Sequence, residues 1–304
     1  MITRMRKLIS SARRSIRKKQ SISKILKSEQ HNEPVANVHR IDTRNAGDYY
    51  CAPHHYFDVL KGKSLDIFGY KSDDSEKRQN FIDTINAKSL IIGGGGLLNR
   101  SGFYRQMKLF EKLSEKGKKT VLWGVGHNEK HPHTYDRVKH YNVDVSKFGI
   151  AGTRDYKMPG EYVPCVSCLH PIFDKSFDET QNIGIVFHKD TLKKPEILAK
   201  FKDYPTSSNT ANFEELIAFI KASNKIVSNS YHVMYWSMLL GKKVVVVPNS
   251  SKFYDFQHRP IISDFDNALN QFSKTKTETY SGLLEECREV NLKFADKVFD
   301  YLNL

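Results

Sequence analysis

The sequence has 304 residues, of which 39% are hydrophobic and 27% are charged, the composition of a globular protein with enough length for a substantial core. No apolar run approaches the roughly 20 residues of a membrane-spanning helix, and no apolar leader follows the basic N-terminus, so neither a transmembrane nor a secreted protein is expected. Four cysteines are too few for a disulfide scaffold at this length, so reduced thiols and a cytoplasmic location are predicted.

The formal net charge of +14 is concentrated near the N-terminus. Residues 1–28 contain ten basic side chains and no acidic ones, which leaves only +4 for the rest of the chain. Residues 28–34 are polar and end in proline, so residues 1–34 are predicted to be an arm and a linker ahead of the folded body. Apolar residues recur along the arm every three or four positions, which predicts a helix with one narrow apolar face: Ile2, Met5, Ile9, Ala12 and Ile16.

The basic arm has two interpretations. An apolar stripe flanked by lysine and arginine is typical of a helix that lies on an anionic membrane surface, here the inner face of the cytoplasmic membrane. The alternative is a solvated basic tail. Nucleic-acid binding is not expected, because no aromatic side chains are interleaved with the charges.

From residue 35 onward, predicted strands alternate with predicted helices. The first series comprises strands at 38–42, 64–70, 89–92, 120–125 and 148–151, one helix from the turn at 45–49 through Leu60, and another over 103–116. The second series comprises strands at 182–188, 225–228 and 243–247, helices at 212–222 and 231–240, and an amphipathic C-terminal helix over 279–302. Apolar strands separated by amphipathic helices are typical of parallel sheets that are buried on both faces.

The two series predict an α/β fold in which two Rossmann-like domains face each other across a cleft. The N-terminal domain is predicted to span residues 35–155, and the C-terminal domain residues 181–304 with the last helix. Residues 156–180 are predicted to be the linker between them.

Two loops of the first predicted domain could approach a ligand. In Asn45-Ala46-Gly47-Asp48, Asn45 and Asp48 could contact a ligand beyond the strand end, or only cap the next helix. The run Gly93–Gly96 lets the backbone approach a ligand or a helix closely; the alternative is a tight strand-to-helix turn. The run is neither a P-loop nor a dinucleotide-binding fingerprint, because the required lysine and ribose-binding acid are missing.

Two side chains suit anion binding or proton transfer. Arg154 is predicted at a strand end, where its planar guanidinium could hold a carboxylate or phosphate, or could pair with Asp155. His232 is predicted in the first turn of an apolar helix, with Ser230 as the N-cap. An imidazole there could donate to a phosphate or transfer a proton, or it could be a buried structural histidine.

No metal site is predicted. Cys165, Cys168 and His170 have zinc-like spacing, but no fourth ligand is recognisable. His127 and His131 are bracketed by Gly126 and Pro132, which makes a helix that presents both to one metal doubtful.

Together these motifs resemble the polysaccharide pyruvyl transferase family. The resemblance covers about residues 38–248 and depends on five segments: NAGD (45–48), IIGGGGLL (91–98), VLWGVG (121–126), GTRD (152–155) and VSNSYHVMYWSMLLGKKVVVVP (227–248). It implies a GT-B-like fold of two domains. It also implies transfer of the enolpyruvyl group of phosphoenolpyruvate to a sugar hydroxyl of a capsule, exopolysaccharide or other surface glycan, with a free sugar or a lipid-linked glycan as acceptor and no cofactor.

The resemblance also implies roles for individual residues. His232 would serve the donor phosphate or act as the acid, Asp48 would be the base or orient the acceptor beside Asn45, and Arg154 matches an arginine of the family that would hold the donor. Further predicted donor-binding residues are Gly94, Gly95, Asn229, Ser230 and Lys189, with Arg259 as another cation by position.

The chain departs from the family at two positions. The family commonly has an arginine two residues before the histidine and a glycine directly after it, where this chain has Ser230 and Val233. The departure leaves open a different donor or a loss of catalysis. The alternatives are therefore a GT-B glycosyltransferase with a nucleotide-sugar donor, whose ribose-binding acid would be Asp190 or Asp255, and a non-catalytic relative in glycan assembly.

Overall fold

The computed structural model describes residues 2–176, 178–274 and 280–304, and the side chains of residues 2–14 are outside this description. The predicted apolar positions Ile2, Met5, Ile9 and Ala12 therefore lie outside the described side chains. Within the described ranges, no helix is both long and apolar enough to cross a membrane.

The first sheet has six parallel strands in the order β2-β1-β3-β4-β5-β6. Its strands are β1 (Val35–His39), β2 (Ser64–Asp66), β3 (Ser89–Leu98), β4 (Thr120–His127), β5 (Ile150–Thr153) and β6 (Glu161–Tyr162). The helices of this part of the chain are α1 (Ile2–Lys27), α2 (Ala46–Tyr50), α3 (Ser75–Ala87) and α4 (Tyr104–Glu115).

The second sheet has five parallel strands in the order β11-β10-β9-β7-β8. Its strands are β7 (Gln181–Phe187), β8 (Thr206–Ser208), β9 (Ser223–Ser228), β10 (Lys243–Val246) and β11 (Ile261–Ile262). The helices are α5 (Pro195–Leu198), α6 (Phe213–Ala222), α7 (Tyr231–Leu239), α8 (Ala268–Lys274) and α9 (Leu283–Leu302). The predicted α/β fold with two parallel sheets is thereby confirmed.

Several element bounds differ from the sequence-based expectation. The helix expected through Leu60 ends at Tyr50, and two short 3-10 turns replace the remainder, since Pro53 lacks the N–H that a helix interior needs. β3 does not end at Ile92 but continues through the glycine run, where Gly93 pairs with Trp123 of β4. Helix α3 and strand β6 were not predicted.

Helix α9 packs against both halves of the molecule, the first half being built around the first sheet and the second half around the second sheet. Leu283 and Cys287, in its first turns, are buried in the core of the second sheet. Phe294 and Val298 lie against the first sheet, where the Phe294 ring meets Trp123 edge-on at 5.2 Å between centroids. The last helix therefore covers the face of the first sheet, although it follows the second sheet in sequence.

The second half of α1 is part of the folded body. Ile25 is fully buried, with Ile22 and Leu26 packed against the same core cluster. The Ser21 hydroxyl donates to the carbonyl of Tyr70 at 2.9 Å, and Arg17 forms an ion pair with Asp73. The expectation of an arm separated from the body by a linker is thus wrong for this half, because its apolar face is covered by α3 and α4.

Two substitutions on α1 test this docking. Ile25→Ala removes a fully buried side chain and should lower the free energy of unfolding by about 2–5 kcal/mol. Ile16→Ala, at a position 54% exposed on the same helix, should change it by less than about 0.5 kcal/mol. Urea denaturation measures both, and equal midpoints for the two variants would contradict the docked arrangement.

Candidate active site between the two sheets

The loops after the carboxyl ends of both sheets contact each other, so the two sheets enclose a cleft. Near β1, the Lys189 Nζ lies 3.4 Å from the Asp42 carboxylate. Near β4, Lys130 Nζ donates to the Asn249 carbonyl at 3.1 Å, and the Ser251 amide donates to the Glu129 carbonyl at 3.0 Å. In each pair, one residue follows a strand of the first sheet and the other follows a strand of the second.

His232 lies in the first turn of α7, at the boundary between the two halves. All nine residues of α7 are buried, as its apolar sequence predicts. The imidazole packs against the backbone of Gly47 in α2, so closely that a Cβ there would overlap Nδ1. Its Nε2 is buried and has no hydrogen-bond partner among the described residues.

The environment of His232 favours the neutral imidazole. Burial, followed by the charges of Arg154 and Lys252, holds its pKa well below the usual value. An anion next to the ring would offset both causes and raise that pKa. The site can therefore couple proton uptake to the binding of a negatively charged ligand.

Arg154 is buried beside His232 and is not paired in the way that the sequence suggested. Its guanidinium lies 3.9 Å above the Tyr231 ring, a cation–π contact. Asp155 instead accepts from the amide of His127 at 2.6 Å and the hydroxyl of Tyr141 at 3.0 Å. The Nε and Nη1 atoms of Arg154 have no hydrogen-bond partner in the described part of the chain.

The sequence does not single out two neighbouring lysines, Lys130 and Lys252, of which Lys252 lies near Arg154. Burial lowers the pKa of Lys252 well below its usual value, and Lys130 and Arg154 lower it further. Burial also lowers the pKa of Lys130 to about 8, with a further contribution from Arg100. Lys130 and Lys252 each lie in a loop that follows a predicted strand, which is the signal that could have found them. Their mutual repulsion makes this part of the cleft receptive to an anion.

Asp48 is an acidic residue close to Lys252. It lies in the first turn of α2 and accepts from the Asn45 amide at 2.8 Å. Burial raises the pKa of its carboxyl, while Lys252 and Lys189 oppose this shift. The other end of the Asn45 amide accepts from Asn209 at 3.4 Å, so both of its polar atoms have partners.

Other predicted donor-binding residues have structural partners. The Gly94 amide donates to the Cys51 carbonyl at 2.9 Å, and a Cβ on Gly94 would lie 2.5 Å from that oxygen. The glycine run thus lets β3 pack closely against the end of α2. Asn229 accepts from the His188 amide at 2.7 Å and donates to Thr191 at 2.6 Å, which fixes the loop after β7.

The remaining predicted donor-side residues lie at different places. Ser230 precedes α7 and is buried, and its amide donates to the hydroxyl of Ser228 at 3.0 Å. Gly95 is buried in β3 with φ of +92°, a conformation that favours glycine. Arg259 is exposed and lines a separate groove between residues 127–158 and 253–262.

The cysteines do not form a metal centre. The Cys165 thiol lies 3.2 Å from the Ser167 hydroxyl, and the Cys168 sulfur accepts from Asn291 at 3.5 Å. Across residues 2–176, 178–274 and 280–304, no group of three or more histidine, cysteine or acidic side chains is arranged to hold a metal ion.

Comparison with known proteins supports the resemblance stated above. The family model described as Polysaccharide pyruvyl transferase matches residues 162–251, the segment that includes α7 and His232. No curated protein matches the chain. A solved structure from Listeria monocytogenes, provisionally described as a UDP-N-acetylglucosamine 2-epimerase, is similar over 90% of this chain and 91% of its own, with 10% identity and a TM-score of 0.39.

The contact of His232 with Gly47 is testable with a matched pair of glycines. Gly47→Ala places a methyl group against the imidazole and should lower the free energy of unfolding by about 1–3 kcal/mol. Gly102→Ala is the control, since a Cβ there meets nothing within 4 Å. Thermal and urea unfolding of both variants measure the difference, and an unaffected Gly47→Ala protein would show that the two halves are not in close contact there.

Proposed function

We propose that this chain transfers the pyruvyl group of phosphoenolpyruvate to a sugar hydroxyl in glycan biosynthesis. The family match over residues 162–251 supports a pyruvyl transferase, and the two parallel sheets around a cleft suit the GT-B-like architecture that such an enzyme would have. The acceptor would be a sugar of a capsule, exopolysaccharide or other surface glycan, free or carried on a lipid. No cofactor is needed for this reaction.

The observation that carries the proposal is the set of unsatisfied donors around the cleft. Arg154 Nε and Nη1 and His232 Nε2 are buried without hydrogen-bond partners among the described residues, and Lys252 lies close enough to lower the pKa of His232. Buried polar atoms are normally paired, and unpaired ones at a cleft are explained by a ligand. Phosphoenolpyruvate supplies a carboxylate and a phosphate, which suit a guanidinium and an imidazole.

The chemistry can be assigned to these side chains. Ketal formation joins two sugar oxygens to C2 of the donor, breaks the bond from C2 to the phosphate oxygen and places a proton on C3. Two hydroxyl protons are released, of which one balances C3 and the other leaves with phosphate. His232, protonated when the phosphate binds, would donate a proton, and Asp48, whose pKa is raised by burial, would accept one from a hydroxyl.

Titration with phosphoenolpyruvate tests the donor. It should raise the melting temperature of the protein, and Arg154→Lys should weaken binding because it keeps the charge but loses the planar donors. The lost charge-assisted hydrogen bond is worth roughly 1.5–3 kcal/mol, about 10- to 150-fold in affinity. Arg105→Ala, exposed on α4 away from the cleft, is the control and should bind as the wild type does.

Measurement of proton uptake distinguishes a catalytic His232 from a purely structural one. Calorimetry in buffers of different ionisation enthalpy should show that the wild type takes up a proton when phosphoenolpyruvate binds near neutral pH, because the pKa of His232 starts low and rises beside the anion. His232→Asn should lose this uptake and roughly 10²–10⁴-fold in turnover. Stabilisation by a nucleotide sugar but not by phosphoenolpyruvate would favour the glycosyltransferase, and stabilisation by neither would favour a non-catalytic relative.

We also propose that the basic N-terminal segment associates with an anionic membrane surface, which would bring the enzyme to a lipid-linked acceptor on the cytoplasmic side. Five of the ten cations of residues 1–28 lie within residues 2–14, ahead of the docked half, and each cation near such a surface contributes about 1 kcal/mol. Because Ile25 anchors the second half of the helix to the body, only the first half can be removed without opening the core.

Deletion of residues 2–14 is therefore the appropriate test. At low salt, vesicles that contain phosphatidylserine should sediment with the full chain and with clearly less of the deleted protein, and the two proteins should have equal melting temperatures. Vesicles of phosphatidylcholine alone are the control and should retain neither. Undiminished sedimentation of the deleted protein would rule out this membrane contact.

A further inference from the structure

A groove opens at the end of the cleft where β4 and β5 face β10 and β11. Its volume is about 510 Å³, within the range of about 300–1,000 Å³ that is typical of small-molecule sites. Aromatic side chains line it from both halves: Tyr135 from the first, and Phe253 and Tyr254 from the second. None of the residues predicted from sequence to bind the acceptor is among those that line it.

The groove adjoins the cationic part of the cleft through residues 251–253. The Ser251 hydroxyl is hydrogen bonded to His127 Nδ1 at 2.6 Å and accepts from the Glu129 amide at 2.9 Å. Phe253 lines the groove, while Lys252 next to it lies near Lys130 and Arg154. A molecule in the groove would therefore lie beside the proposed donor site.

Two acidic residues, Asp136 and Asp255, line the groove, and hydrogen bonds from residues of the first half hold Asp255 in place. Its Oδ1 accepts from the Lys157 amide at 3.0 Å, and its carbonyl accepts from the Tyr156 amide at 3.2 Å. The second carboxylate oxygen lies 4.0 Å from His127 Nε2. This fixed carboxylate can accept hydrogen bonds from vicinal hydroxyl groups in the groove.

We infer that this groove binds a sugar ring of the glycan acceptor, with Tyr135 and Tyr254 against its apolar faces and Asp255 as acceptor for its hydroxyl groups. The inference rests on the proposed function, since the groove is needed only if a saccharide is a substrate. Of the two acceptor-side residues predicted from sequence, Asn45 has both amide atoms occupied by Asp48 and Asn209, and Asp48 is proposed above to contact the reacting hydroxyl. The groove, in contrast, offers aromatic faces and a positioned carboxylate, besides the side chains of Lys139, Lys157 and Arg259.

A panel of methyl glycosides of hexoses and N-acetylhexosamines tests this site without the donor. Saturation-transfer difference NMR on the wild type should identify at least one binder. Tyr254→Ala and Asp255→Asn should each weaken that binder about tenfold or more, which corresponds to about 1.4 kcal/mol. Tyr104→Ala, an exposed tyrosine on α4, is the matched control and should bind it as the wild type does.

Titration with phosphoenolpyruvate distinguishes a wrong groove assignment from a wrong donor assignment. Tyr254→Ala should keep the phosphoenolpyruvate affinity of the wild type, and phosphoenolpyruvate should not displace the glycoside. A glycoside that binds in the groove when phosphoenolpyruvate does not bind at all would overturn the proposed donor and leave the groove assignment standing. Absence of any binder, unchanged binding by both groove variants, or displacement by phosphoenolpyruvate would each overturn the groove assignment.

Discussion

The close packing of His232 against the backbone of Gly47 determines how near the two sheets can approach. Glycine at this position leaves no side chain between α2 and the start of α7, so the imidazole is taken out of water. The same approach buries Arg154 under the Tyr231 ring and brings Lys252 toward Asp48. The electrostatics of the cleft therefore follow from one steric contact between its walls.

Burial of this many cationic groups is unfavourable by itself. Arg154 is buried and Lys252 is half-buried, so both lose hydration. The nearby acids compensate only in part, because Asp48 is half-buried and Asp155 is bonded to His127 and Tyr141. A bound anion would supply the missing charge and hydrogen-bond acceptors. A bound anion should therefore stabilise this arrangement of the two cleft walls.

The sequence predicts most of the two sheets, since their strands are apolar and well separated. It also predicts α7 as a buried helix and places Arg154 and His232 at strand ends. It does not reveal Lys130 and Lys252 as neighbours, because the loops that carry them come together only when the sheets face each other. A helix from the turn at 45–49 through Leu60 does not form, because Pro53 cannot donate the hydrogen bond that a helix interior requires.

Helix α1 is a second element whose packing does not follow from the sequence. Its apolar stripe was recognised only up to Ile16, where it could equally mark a membrane-facing helix. Ile22, Ile25 and Leu26 continue a helical face that α3 and α4 cover, and α3 was not predicted from its mostly polar sequence. Without that partner element, docking of the arm could not be distinguished from a free amphipathic helix.

The last helix has a consequence for the order in which this chain can fold during synthesis. One face of the first sheet, around Trp123, is covered by Phe294 and Val298 of α9, which lie far C-terminal to Trp123 in the sequence. The strands of the first sheet are complete at residue 162, but well over a hundred further residues must be synthesised before that apolar face is covered. Domains usually fold as units from the N-terminus during translation, but here this face of the first sheet remains exposed to misassociation until α9 has been synthesised.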